Sequence, residues 1–210
     1  MINELMKYGN FQSVGKNQNK KQIILTNTSR NVKDYLQSLK YRYNGKYDKI
    51  PHFLIKKGGE ILQLLNTNTY SNHLEPEQVN KTSIIICLEN YGWLKKNPLN
   101  SSYINWIGDI YKGDVYEKKW RDYFFWQPYT ETQIEYTAKL CKKISEETGI
   151  PVEVVEHNTR INGVEKFRGI TSKSNFDIYL LTYICNRTPY LLQHDNKKYR
   201  SSAFHLFKCF

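Results

Sequence analysis

The sequence lacks the features that would reveal its class at once. No stretch approaches the ~18 consecutive apolar residues of a membrane span, and no apolar block of signal-peptide length occurs near its start. Phosphate-binding loops, dinucleotide-binding glycine patterns, the GxSxG elbow and the HExxH helix are also absent. These absences predict a protein that is made in the cytosol and does not span a membrane, and they exclude the commonest nucleotide-binding and hydrolase motifs.

Cysteine and histidine are scarce as well. The four cysteines are widely separated and form no CxxC pair, which favours free thiols in a reducing compartment. The five histidines include no two at a spacing of three or four residues, so the sequence has no local metal-binding motif. Each histidine is therefore expected to have a surface or structural role.

Positive charge is in excess. The net charge is +11, and 24 of the 31 basic residues are lysine. Most of the excess lies in residues 1–60, which carry 12 basic and 4 acidic side chains. Such a charge attracts polyanions, including nucleic acid. No arginine cluster or aromatic ribonucleoprotein motif supports a nucleic-acid site, so a lysine-rich solvated surface remains the alternative interpretation.

The order of apolar patterns predicts a single α/β domain, with a mixed central sheet flanked by helices. Strands are predicted at residues 22–26, 52–56, 60–65, 83–88 and 152–155. One helix is predicted from the spacing of Val32, Tyr35, Leu36 and Leu39, and a second from a capping box at residues 130–133 to Gly149. Residues 66–81 are expected to form a polar loop, and the pattern weakens after Gly169.

The chain divides by composition into three parts. Residues 1–21 are predicted to form a basic polar arm, residues 22–189 the domain, and residues 190–210 a tail. Within the domain, residues 90–129 contain all four tryptophans and are predicted to be an insertion. Aromatic residues at this density suit either a partner or ligand surface, or an insertion that folds around its own aromatic cluster.

Several short phrases, in this order, resemble the zinc-dependent N-acetylmuramoyl-L-alanine amidase family, whose fold is shared with peptidoglycan recognition proteins and phage lysozyme-type amidases. These phrases are residues 23–29, 51–55 with Gly59, 80–88, 129–133, 149–151, 156–158 and 169–175. The resemblance extends over residues 22–185. It implies a zinc ion held by two His and one Asp or Cys, which activates water to attack an amide, with a Tyr or a Lys/Glu pair assisting.

The family's ligand positions carry unsuitable residues in this chain. The first falls on Thr26, with Asn27 beside it, the second on His157, and the third near Thr182. Hydroxyl and amide groups are poor zinc ligands beside imidazole, thiolate or carboxylate, so zinc is predicted to be absent.

The family's assisting positions are degenerate too. They fall on Pro51, where a Tyr often stands, and on Lys173. Two compensating ligands remain conceivable at the groove: Cys185 in a rearranged last loop, and His52 turned towards the site.

These substitutions predict a catalytically inactive, amidase-like protein, encoded by a phage or another virus and reused as a structural or binding module, for example in a virion. Its expected partners are proteins that contact the aromatic insertion and the basic arm. One alternative is an active, endolysin-like zinc amidase that cleaves peptidoglycan. Another is a non-catalytic peptidoglycan-binding protein, and a nucleic-acid-binding role ranks last.

Overall fold

A six-stranded mixed sheet forms the centre of the fold. The computed structural model describes residues 2–3, 19–45, 49–69, 71–74, 77–120, 122–155 and 160–176. The strands are β1 (Ile2–Asn3), β2 (Gln22–Asn27), β3 (Phe53–Ile55), β4 (Ile61–Gln63), β5 (Ser83–Leu88) and β11 (Gly169–Ser172), in the order β1–β4–β3–β5–β2–β11. Every neighbouring pair is parallel except the predicted β3–β4 hairpin.

Helices cover both faces of this sheet. The helices are α1 (Val32–Tyr41), α2 (Glu77–Thr82) and α3 (Glu131–Thr148). Strands β2 and β5 are buried at every position, as their apolar runs predict. Alternate side chains face opposite helices: Ile23 packs with Ile144 of α3, whereas Ile24 packs with Val79 of α2. The prediction of an α/β domain with a mixed sheet between helices is confirmed.

The capping residues of α3 determine where this helix begins and ends. Thr130 is the N-cap, and its side chain accepts a hydrogen bond from the Gln133 N–H at 3.0 Å. The helix ends at Gly149, which has the left-handed conformation that glycine favours. The Gln133 amide does not complete the capping box. It donates instead to the carbonyls of Ile55 and Glu89, which ties α3 to the ends of two strands.

The predicted insertion folds as a second, antiparallel sheet. Its strands are β6 (Trp93–Lys96), β7 (Tyr103–Ile104), β8 (Ile110–Tyr111), β9 (Tyr116–Trp120) and β10 (Tyr123–Trp126), in the order β8–β7–β6–β10–β9. The rings of Trp93 and Tyr123 lie 4.5 Å apart between centroids, and those of Trp120 and Trp126 lie 5.3 Å apart. The insertion thus contains its own aromatic cluster.

Two of the predicted elements differ in the structure, and one strand was not predicted. The expected polar loop at residues 66–81 contains the start of α2, whose single buried aliphatic side chain, Val79, leaves little helical pattern to detect. The expected strand at residues 152–155 is reduced to one bridge between Val154 and Ile170. Strand β11 was not predicted, because its four residues contain one strongly apolar side chain.

Parts of the predicted basic arm belong to the domain. The backbone of Ile2–Asn3 pairs with β4 at the edge of the sheet, and Lys20 is buried next to β2. The prediction of a basic arm over residues 1–21 stays a prediction, because residues 4–18 lie outside the described part of the chain. None of the described helices combines the length and the apolar character of a membrane span.

Candidate functional site

The positions that the resemblance relates to zinc binding begin at the carboxyl end of β2. Thr26 and Asn27 are the last two residues of this strand, and both are buried. Thr26 is in register with Cys87 of β5. Residues that share a register position project from the same face of a sheet, so Thr26 and Cys87 lie side by side on the face that α1 covers.

Lys173 lies at the same level of the sheet. It directly follows Ser172, the last residue of β11, which is in register with the residue before Thr26. The ammonium group of Lys173 acts electrostatically on the Cys87 thiol and on the buried His73 imidazole. The structure therefore brings Thr26, Cys87 and Lys173 together at the carboxyl edge of three adjacent strands.

The Cys87 thiol is fully buried and stays protonated at neutral pH. Burial raises its pKa to about 12, although the charge of Lys173 and a hydrogen bond with Tyr35 act in the opposite direction. A thiol with such a pKa is neither a good nucleophile nor a good metal ligand. Cys87 is therefore a packed core residue.

The described side chains at this edge do not fit zinc. Thr26 offers a hydroxyl and Asn27 an amide, whereas zinc in proteins is bound by imidazole, thiolate or carboxylate. The Asn27 amide oxygen already accepts a hydrogen bond from Ser29 Oγ at 3.2 Å. Within the described ranges, no three His, Cys, Asp or Glu side chains lie close enough together to hold a metal ion.

Three predicted site residues lie outside the described part of the chain. They are His157, Thr182 and Cys185. Their relation to Thr26 stays a prediction, and so does the role of Cys185 as a compensating ligand.

Pro51 is described but lies away from Thr26. The next residue, His52, leads into β3, and Leu54 of this strand is paired in register with Cys87 of β5. Pro51 precedes Leu54 by three residues, which is about 10 Å of extended chain. The structure therefore does not bring the Pro51 position to the edge where Thr26 ends β2.

The prediction that His52 lines a groove and can turn towards the site is wrong. Its side chain is fully buried, and both ring nitrogens have partners. Nδ1 accepts a hydrogen bond from the Ile85 N–H at 3.0 Å, so Nε2 carries the proton and donates to the Thr69 carbonyl at 3.0 Å. Burial lowers the pKa of His52 to about 3, so the ring is neutral and structural.

Lys20 is a structural residue that was not predicted from the sequence. Its ammonium group donates to the carbonyls of Thr69, Lys81 and Ser83. Burial lowers the pKa of Lys20 to about 8. These carbonyls come from segments that are distant along the chain, so no local pattern announces the contact.

Glu89 is a second structural residue that was not predicted, although its position carried a signal. One carboxylate oxygen accepts from the Val32 N–H at the start of α1, and the other from the Lys57 N–H in the β3–β4 turn, each at 3.1 Å. Its place directly after a buried strand was the available signal, because polar residues at the carboxyl ends of parallel strands often face a site.

The insertion meets the main sheet next to the end of β2. The Trp106 indole N–H donates to the Ser29 carbonyl, and the Arg30 guanidinium lies 5.3 Å from the centroid of the Trp106 ring. The Asn90 N–H donates to Thr28 Oγ1 at 3.1 Å. The insertion therefore flanks the loop that directly follows Thr26 and Asn27.

A model of the family described as N-acetylmuramoyl-L-alanine amidase (Amidase_2) matches residues 16–170. No curated protein sequence matches the chain significantly. Among solved structures, the chain is similar to the Staphylococcus aureus hydrolase AmiA, with a TM-score of 0.52, 11% identity, and coverage of 91% of this chain and 80% of that chain. At this identity the likeness shows a shared fold.

Two further structures are more distant in shape. The amidase LysC from Clostridium intestinale has a TM-score of 0.45 and 12% identity, covering 88% of this chain and 89% of that chain. The amidase AmiD from E. coli has a TM-score of 0.40 and 19% identity, covering 67% of this chain. The match spans 49% of AmiD, about half of its length.

Proposed function

The chain belongs to the N-acetylmuramoyl-L-alanine amidase family, and we propose that it is a member without the zinc-dependent reaction, which serves as a binding or structural module. The observation that supports this proposal most directly is the chemistry at the end of β2. There, a hydroxyl and an amide occupy the positions that the resemblance relates to the first zinc ligand. Neither group competes with imidazole for zinc.

The surroundings of Thr26 also support the proposal. Thr26 is 2% exposed, and its neighbour in register is the buried, protonated Cys87. His52, the described histidine that was considered as a substitute ligand, uses both ring nitrogens in the core. A first ligand therefore has no evident replacement among the described residues near this edge.

The preserved packing argues that the domain still has a role that needs its fold. Strands β2 and β5, which end at the site, are buried at every position, and both caps of α3 are intact. A role in a phage or viral particle is part of this proposal. Peptidoglycan is the partner that the family suggests.

The direct test is to measure bound zinc and peptidoglycan hydrolysis on the same preparation of the full chain. We expect far less than about one zinc ion per chain after dialysis, and no release of peptides from purified peptidoglycan. About one tightly bound zinc per chain, together with hydrolysis that a chelator abolishes, would identify an active amidase and refute the proposal.

The variant Thr26→His separates loss of the ligand from loss of the whole site. If Thr26 is the defective position and the other ligands survive, this variant gains zinc and hydrolysis. If the third ligand is lost as well, the variant stays inactive. The matched control is Thr171→His, which is buried on the neighbouring strand at a position that the resemblance does not relate to zinc.

A further inference from the structure

The insertion presents a sheet face on which aromatic rings and lysines are combined. We call it the aromatic face, and it consists of Trp93, Lys95, Tyr116, Lys118, Trp120, Tyr123 and Trp126. We propose that this face binds the glycan strands of peptidoglycan, with the rings packing on the sugars and the two lysines meeting the carboxylates of the attached peptides. The proposal rests on the proposed function, because the family membership suggests peptidoglycan as the partner.

The strand register places the rings on one side of the sheet. Trp126 of β10 is paired with Trp93 of β6 and with Tyr116 of β9, and Tyr123 is paired with Trp120. A bulge opposite residues 123–125 adds one residue to β9, which advances from Glu117 to Trp120 while β10 advances from Phe125 to Tyr123. The ring contacts agree, since Tyr123 lies 4.5 Å from Trp93 and 6.1 Å from Trp126 between centroids.

Lys95 and Lys118 lie on the same side of the sheet as the rings and at the same height along their strands. Lys95 is two residues after Trp93, and Lys118 is two residues after Tyr116, so each shares the face of the aromatic residue before it. Strands β6 and β9 run on either side of β10, which separates their backbones by about 10 Å. Both ammonium groups are exposed, and that of Lys95 lies 5.1 Å from the centroid of the Trp93 ring.

The carboxylates in the described part of the insertion lie away from the aromatic face. Glu117 is paired with Phe125 and therefore projects from the opposite face, whereas Asp109, Asp114 and Asp122 lie between strands. The aromatic face is consequently positive along its described length. Such a surface is complementary to a negatively charged partner.

Burial separates one structural ring from the rings that are available for contact. Trp126 is 1% exposed, and its indole N–H donates to the Lys118 carbonyl at 2.8 Å, so it forms the centre of the cluster. Trp93, Tyr116, Trp120 and Tyr123 each remain partly exposed. Large amphipathic rings of this kind provide packing area to a partner at a low entropic cost, and a sugar ring has apolar C–H faces that match them.

The position of the insertion is consistent with a glycan partner. Trp106 and Arg30 join the insertion to the loop after β2, beside the edge at which the family's reaction centre is expected. Single-stranded nucleic acid also binds positively charged surfaces that carry aromatic rings, so the oligonucleotide measurement described below distinguishes it from a glycan.

The test measures retention of the full chain on purified, insoluble peptidoglycan. The variant pair Lys95→Glu and Lys118→Glu is compared with Lys33→Glu and Lys166→Glu, which change the net charge equally at exposed positions off the sheet. We expect the first pair to weaken binding about tenfold, and the control pair to leave it nearly unchanged. Trp93→Ala is a second variant and is expected to weaken binding without a change of charge.

Each other outcome overturns the proposal. Equal losses in both pairs indicate attraction by net charge alone, and no loss in either pair indicates another surface. Loss of retention after acid extraction of wall phosphate polymers identifies those polymers as the partner. Tighter binding of a single-stranded oligonucleotide through the same residues identifies nucleic acid. If the wild type is not retained, the aromatic face has another role, while the zinc and hydrolysis measurements still decide the proposed loss of catalysis.

Discussion

The carboxyl edge of the six-stranded sheet and the aromatic face of the insertion differ in whether close packing accounts for the residues found there. At the edge, Thr26 and Cys87 are buried and neutral, and close packing accounts for both. On the aromatic face, rings and lysines remain partly exposed, and stability does not require all of them. The comparison suggests that the first region preserves the fold, while the second preserves a surface.

The largest expected effect tests the first half of this comparison. Ile86 is fully buried in β5, in the cluster that α3 covers. We expect Ile86→Ala to lower the free energy of unfolding by about 4 kcal/mol, because it leaves a cavity in a sheet that cannot collapse around it. Urea denaturation measures this change. A loss below about 1 kcal/mol would mean that the central sheet is loosely packed.

Acid is the next most severe perturbation. The pKa of His52 is about 3 in the folded chain and is near 6.5 when unfolded. Between these values the unfolded chain binds more protons, so stability is complete above pH 6.5 and falls as the pH falls towards 3. We expect a loss of about 3 kcal/mol between pH 7 and pH 4 from this group. Burial also lowers the pKa of His73, which acts in the same direction.

The variant His52→Asn checks the origin of that acid sensitivity. The asparagine amide oxygen can still accept from the Ile85 N–H, and it does not titrate. The free energy of unfolding of this variant is expected to depend less steeply on pH between 6.5 and 4. An unchanged slope would assign the acid sensitivity to other groups.

A smaller effect is expected where the insertion returns to the main domain. Thr130 caps α3, and its hydroxyl donates to the Lys57 carbonyl at 2.6 Å. Thr130→Ala is expected to cost about 1 kcal/mol in thermal or urea unfolding. Thr132→Ala, at an exposed position in the first turn of the same helix, is the matched control and is expected to be nearly neutral.

The smallest effect is expected in the insertion itself. Ile110 is 59% exposed on β8, so Ile110→Ala is expected to change the free energy of unfolding by less than about 0.5 kcal/mol. A cost similar to that of Ile86→Ala would show that the exposed side chains of the insertion are required for stability. The contrast between the two regions would then disappear.

The sequence predicts most reliably those elements whose signal lies within a few neighbouring residues. The apolar runs of β2 and β5 and the caps of α3 are local, and the structure confirms all of them. Strand β11 was not predicted because its four residues contain one strongly apolar side chain, and its pairing with β2 joins segments that are far apart in the chain. Helix α2 was missed because a single buried Val79 carries too little periodicity.

The site is less predictable than the fold. Placing Thr26, Asn27 and Lys173 at one edge follows from parallel strands whose ends coincide. The role of His52 does not follow from its sequence, because its two partners belong to distant backbone segments. The same applies to Lys20 and to its three carbonyl acceptors.

The pairing of β11 with β2 also has a consequence for how the chain is made. Residues 22 and 169 are neighbours in the finished sheet, although nearly the whole domain is translated between them. At typical elongation rates, β2 waits roughly 10–30 s on the ribosome with one edge unpaired. An unpaired edge rich in isoleucine is prone to join another nascent chain, so expression yield should depend on temperature and chaperones more than the stability of the folded protein suggests.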